Sequence, residues 1–136
     1  NKQIFLVDET YNSNPLSLKT AIENYESIES KNSKKYLILG DMLELGNHSI
    51  KQHKLISKII NKTNIKQVYV IGKYIKETFR GLKSNKKAKI IYDKFGIINL
   101  INNDLSNNDY LMIKGSNSTG LHKITTNLKH RSQNAI

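Results

Sequence analysis

Short, uninterrupted apolar runs constrain this chain more than any other feature. They are Ile4-Phe5-Leu6-Val7, Tyr36-Leu37-Ile38-Leu39-Gly40, Val68-Tyr69-Val70-Ile71-Gly72 and Tyr110-Leu111-Met112-Ile113, with Lys89-Ile90-Ile91-Tyr92 as a weaker fifth. Runs of this length without polar alternation predict strands covered on both faces, as in a parallel sheet. Between them the apolar spacing changes to helical. Leu18, Ala21, Ile22, Tyr25 and Ile28 recur at steps of three and four, with Asn14 as N-cap and Pro15 at the first helical position, so a helix is expected over residues 15–30. Ile50, Leu55, Ile56, Ile59 and Ile60 predict a second over 48–61, and shorter helices fit 74–82, 95–105 and 119–128. Breaker-rich segments at 31–34, 84–87 and 106–108 separate these elements. Strand and helix thus alternate five times. The pattern predicts a doubly wound, Rossmann-like, mainly parallel sheet of five or six strands with helices on both faces.

A length of 136 residues suits one domain, expected over 1–130 with a flexible tail at 131–136. Because the sequence enters a strand almost at once after Asn1, it reads as a piece of a longer protein. There is no cysteine, so disulfides and thiolate zinc sites are excluded, and the spacing of His48, His53, His122 and His130 suggests no metal site. No apolar run approaches the length of a membrane span and no signal peptide opens the sequence, so a cytoplasmic protein without membrane contact is expected. The formal charge is +11, yet 20 of the 22 basic residues are lysine and only Arg80 and Arg131 are arginine. Arginine is the residue of bidentate phosphate and base contacts, so the charge reads mainly as solvated lysine. A basic nucleic-acid-binding module is the rival reading, and it lacks a recognisable motif or aromatic platform.

In a parallel α/β sheet, ligands gather at the carboxyl ends of the strands. There the sequence places Asp8-Glu9-Thr10-Tyr11-Asn12-Ser13-Asn14-Pro15, then Gly40-Asp41-Met42-Leu43-Glu44-Leu45-Gly46, then Gly72-Lys73, and finally Lys114-Gly115-Ser116-Asn117-Ser118-Thr119-Gly120. The first turn has no glycine, which argues against a dinucleotide site, and no segment supplies a P-loop. A phospho-receiver domain would need an aspartate after the third strand, where Gly72-Lys73 stands.

These three long loops resemble those of the carboxy-terminal domain of the Mur ligases, in particular members that add D-alanyl-D-alanine to a UDP-N-acetylmuramoyl tripeptide. The Asp-x-Tyr-Asn-Ala-Asn-Pro pattern appears as Asp8 to Pro15 with one extra residue, and Ser13 replaces alanine. Gly-Asp-Met-Leu-Glu-Leu-Gly is unchanged at Gly40 to Gly46, with His53 on the following helix, and Val-Lys-Gly-Ser-Arg appears as Ile113 to Asn117, with Asn117 replacing arginine. The resemblance implies an ATP-dependent ligase working through an acyl phosphate, with Mg2+ and most of the ATP held by a central domain absent from this chain. It implies nucleotide binding by Asp8, Tyr11, Asn12 and Asp41, and contact with the dipeptide by Lys114, Ser116 and Asn117. Asp41 suits either a substrate ammonium or magnesium-bound water, and Glu44 either a helix cap or a structural salt bridge. Asn14 serves first as a helix cap. Met42, Leu43 and Leu45 are expected to pack, and no catalytic role is assigned to His53 or His122.

Overall fold

The computed structural model describes residues 2–10 and 13–115; the expected helix over 119–128 and the tail lie outside them. Within the described residues the chain runs β1 (Phe5–Glu9), α1 (Pro15–Ser27), β2 (Lys35–Gly40), α2 (Ser49–Asn61), β3 (Gln67–Ile71), α3 (Lys76–Gly81), β4 (Lys87–Ile91), α4 (Lys94–Asn103) and β5 (Tyr110–Lys114). Single 3-10 turns at Gly46–His48 and Ser84–Lys86 precede α2 and β4. The five strands are parallel throughout, in the order β1-β5-β2-β3-β4.

This order decides which face each helix covers. Crossovers between parallel strands are right-handed, so steps in one direction along the sheet place their helices on one face and a reversed step uses the other. The steps β1 to β2, β2 to β3 and β3 to β4 share a direction, and residues of α1, α2 and α3 accordingly share one core with Leu37, Leu39, Val68, Val70 and Met112. The return from β4 to β5 reverses it. Ile97 and Leu100 of α4 pack on the opposite face with Tyr36, Ile38, Tyr69, Leu111 and Ile113. Alternate residues of one strand therefore enter different cores, and every residue of β2 is buried. β1 departs from the expectation of cover on both faces. Its only partner strand among the described residues is β5, it is half-buried, and Phe5 remains 42% exposed.

The helices begin and end by identifiable devices. At α1, Asn14 Oδ1 accepts the Ser17 N–H while Ser17 Oγ accepts the Asn14 N–H, each at 2.9 Å. Such a capping box satisfies two otherwise orphaned donors. Asp93 caps α4 through the amides of Phe95 and Gly96. At the other ends, lysines supply donors to unpaired carbonyls. Lys35 Nζ donates to the carbonyls of Glu26, at 2.6 Å, and Ile28 beside the end of α1. Lys86 Nζ serves Thr63 and Ile65 beyond α2, at 2.8 and 2.7 Å. Lys2 serves Ile101, Asn102 and Leu105 at the end of α4. Lys35 and Lys86 are buried, so part of the lysine excess is architectural rather than solvated.

Candidate functional site

Strand order assembles the site. Because β5 enters the sheet between β1 and β2, the loop starting at Asp8, the segment at Lys114-Gly115 and the loop starting at Asp41 leave three adjacent strands. Neighbouring strands lie about 4.8 Å apart, which brings these exits within roughly 10 Å of one another. Gly72 follows β3, beside the second loop.

Asp8 is half-buried at the end of β1. Its Oδ1 accepts the Thr10 N–H at 3.0 Å and the Thr10 hydroxyl at 2.6 Å. Thr10 is itself buried, so this local ring fixes the carboxylate before any ligand arrives. Lys114, in register with Glu9 across the β1–β5 pairing, is 3% exposed. Its Nζ lies 3.4 Å from the Glu9 carbonyl as donor. Burial pushes the ammonium below its ordinary pKa, and the Glu9 carboxylate opposes that shift.

Asp41 turns inward. Its Oδ1 accepts the Ile75 N–H at 2.8 Å and its Oδ2 accepts the Lys73 N–H at 3.1 Å, so the carboxylate ties the end of β2 to the turn between β3 and α3. Gly72 makes this possible. Its φ is +138°, and a Cβ there would stand 2.6 Å from Asp41 Oδ1 and 2.7 Å from Cγ. The next residue is held from the other side. His53, fully buried on α2, accepts the Met42 N–H at Nε2, 3.1 Å away, while Nδ1 lies 2.7 Å from the Ser49 carbonyl. That network assigns the proton to Nδ1 and leaves the ring neutral. Beyond the two clamps, Glu44 is exposed at φ +63°, in the left-handed region. Neither sequence expectation for Glu44 is met: α2 has no side-chain cap, and the carboxylate has no hydrogen-bond or ion-pair partner among the described residues.

The sequence matches the family described as Mur ligase, glutamate ligase domain, over residues 1–117. The chain belongs to the Mur ligase family. A UDP-N-acetylmuramoyl-tripeptide D-alanyl-D-alanine ligase of Buchnera aphidicola is 33% identical over 130 residues, covering 94% of this chain and 27% of the relative. The ligase of the same description from Bacillus subtilis is 32% identical, covering 90% and 27%. Among solved structures, MurF ligase from Thermotoga maritima in complex with ADP superimposes with a TM-score of 0.76 over 93% of this chain and 28% of its own, at 24% identity. MurF from Acinetobacter baumannii gives 0.77, over 94% and 28%, at 23% identity. The all-parallel α/β fold is thus that of the Mur ligase domain, and the chain spans about a quarter of the length of its curated relatives.

For this Mur ligase domain, Tyr11, Asn12, Ser116 and Asn117 lie outside the described residues, whereas Asp8, Asp41 and Lys114 lie on the carboxyl edge. A divalent metal would need several acidic or histidine donors in one place. Among the described residues no three acidic or histidine side chains cluster to hold one, and Asp41 faces backbone amides; the fit to Mg2+ is poor within this segment. No helix among the described residues is long and apolar enough to cross a membrane. Sequence reasoning missed Thr10, Gly72 and the positioning role of His53. The spacing of Asp8 and Thr10 was a usable signal, since Asp often accepts hydrogen bonds two residues on; the other two need the strand order.

Proposed function

We propose that this chain is the carboxy-terminal domain of an ATP-dependent ligase that joins D-alanyl-D-alanine to a UDP-N-acetylmuramoyl tripeptide in the cytoplasm. The observation that carries the reading is the convergence of three family loops, from opposite ends of the chain, on adjacent strand exits. In the proposed reaction a peptide carboxylate takes the γ-phosphoryl group of ATP, giving an acyl phosphate and ADP. The dipeptide amine then attacks the acyl carbon, phosphate leaves, and the amine loses its proton as the peptide bond forms. Such chemistry depends on positioning and charge stabilisation. The phosphates and Mg2+ are assigned to the remaining domains of the full protein.

Asp8, pre-set by Thr10, is assigned to the nucleotide ribose, because one carboxylate can accept both hydroxyls. Tyr11 and Asn12 follow it on the nucleotide side. Lys114, with Ser116 and Asn117, is assigned to the carboxylate of the dipeptide. Asp41 shifts from a ligand to a positioning role, since backbone amides engage both of its oxygens. A nucleic-acid role loses support from the buried lysines, which cap helix ends instead of forming a basic surface.

The test is Asp8→Ala in the full-length ligase. Loss of charge-assisted hydrogen bonds to the ribose predicts a fall of roughly 10- to 100-fold in kcat/KM for ATP. Unchanged ATP-dependent ligation by that variant would remove Asp8 from the nucleotide site.

A further inference from the structure

We infer that Glu44 takes the ammonium group of the incoming dipeptide, completing a zwitterion subsite whose carboxylate half lies at Lys114; the inference rests on the ligase reading above. A free dipeptide carries opposite charges at its two ends, separated by about 7 Å when extended. The edge offers a cation at the end of β5, and β2 is its immediate neighbour. An anion is therefore needed on the loop that follows β2.

Four carboxylates stand along this part of the edge. Asp8 is engaged by Thr10, and Glu9 lies on the nucleotide side of Lys114, its charge already supporting that ammonium. Asp41 faces the amides of Lys73 and Ile75. Glu9 and Glu44 are the exposed ones of the four, and of these Glu44 follows β2 and has no partner among the described residues. Its backbone adds an independent argument. Glycine adopts φ +63° without the Cβ penalty of roughly 1 kcal/mol, yet a long acidic side chain occupies the position and gains no structural contact from it. Such a conformation persists where the surroundings over-determine it. Here the surroundings are the two clamps, Asp41 on the turn after β3 and His53 on the Met42 amide. They hold the two residues that lead into the exposed Glu44 turn.

The experiment uses the full-length ligase with Glu44→Gln and Glu44→Gly. Losing a charge-assisted contact made in binding predicts that KM for D-alanyl-D-alanine rises about 10- to 100-fold in both variants, with KM for ATP and the Mg2+ dependence unchanged. N-acetyl-D-alanyl-D-alanine, which lacks the ammonium, should inhibit wild type and Glu44→Gln equally. Glu44→Gly should also melt higher than wild type, because the backbone strain is relieved. A more stable variant with poorer dipeptide binding separates a ligand role from a structural one. An unchanged dipeptide KM overturns the inference, and so does an altered Mg2+ dependence, which would make the bound cation a metal. If wild type itself fails to ligate the dipeptide, the ligase reading falls, and that is seen before any variant is compared.

Discussion

Replacing Gly72 by alanine tests how the second loop is held. The residue sits at φ +138°, a region that side chains rarely enter, and its missing Cβ would fall 2.6 Å from Asp41 Oδ1, 2.7 Å from Cγ and 2.9 Å from Oδ2. Backbone strain at such a position costs about 1–3 kcal/mol. The carboxylate must also withdraw, and it is not the free end of a flexible chain, since Asp41 is 8% exposed and bonded to two amides. Each hydrogen bond to a charged group contributes about 1.5–3 kcal/mol, so losing one of them gives a total of roughly 3–6 kcal/mol, and losing both gives more. For a domain of this size each kcal/mol lowers Tm by about 3–5 °C. Gly72→Ala should therefore melt at least 10 °C below wild type by circular dichroism, with a matching fall in the urea midpoint. The double variant Gly72→Ala/Asp41→Ala should be less destabilised than the two single losses added together, because removing the carboxylate relieves the clash. A loss below about 1 kcal/mol for Gly72→Ala, or strict additivity in the pair, would refute the reasoning.

The lysine caps give a second expectation. Lys35→Met removes the donor for the Glu26 and Ile28 carbonyls and should destabilise the chain by about 1–3 kcal/mol in urea unfolding; a stabilised variant would show that desolvation of the ammonium outweighs the caps. The alkaline limb of the stability profile gives a third. Burial raises the Tyr25 and Tyr69 phenols above their ordinary value of 10.0, so an unfolded chain loses those protons first and stability falls as pH rises past about 10. Burial lowers Lys35, Lys86 and Lys114 below their ordinary 10.5, which works oppositely: their contribution is present above 10.5 and is lost as pH falls toward the folded values. Tyr25→Phe, which loses the hydrogen bond to the Tyr36 carbonyl, should be less stable than wild type at pH 8, and the gap should narrow above pH 10. A constant gap across that range would remove Tyr25 from the alkaline transition.

Element types were legible because burial imposes its own period. The strands fall within about two residues of the apolar runs, and α1 starts at Pro15 as its cap required. Its end was less legible. The spacing ran on to Ser30, whereas the helix stops at Ser27, where Lys35, distant along the strand direction, reaches back to the last carbonyls. Asp8 and Lys114 could be assigned to one edge from their positions after strands. Nothing local announced that β5 would separate β1 from β2, and that insertion is what makes those residues neighbours. Asp41 shows the complementary limit. Its residue type and loop position suited a ligand, but its partners are amides of residues 73 and 75, supplied by a different strand exit.

The same insertion gives the fold a timetable. β1 is the first of the five described strands to be made, yet its only partner among the described residues is β5, and Glu9 and Lys114 stand 105 residues apart. Pairing at such separation is slow to establish because the intervening loop must close first. β2, β3 and β4 can pair in order as they emerge, while β1 waits at the margin of a partly built sheet. The proposed ligand edge, which draws on residues from both β1 and β5, is thus completed by the last described strand to arrive. During synthesis on the ribosome, β2, β3 and β4 can be paired before the proposed nucleotide and dipeptide edge exists.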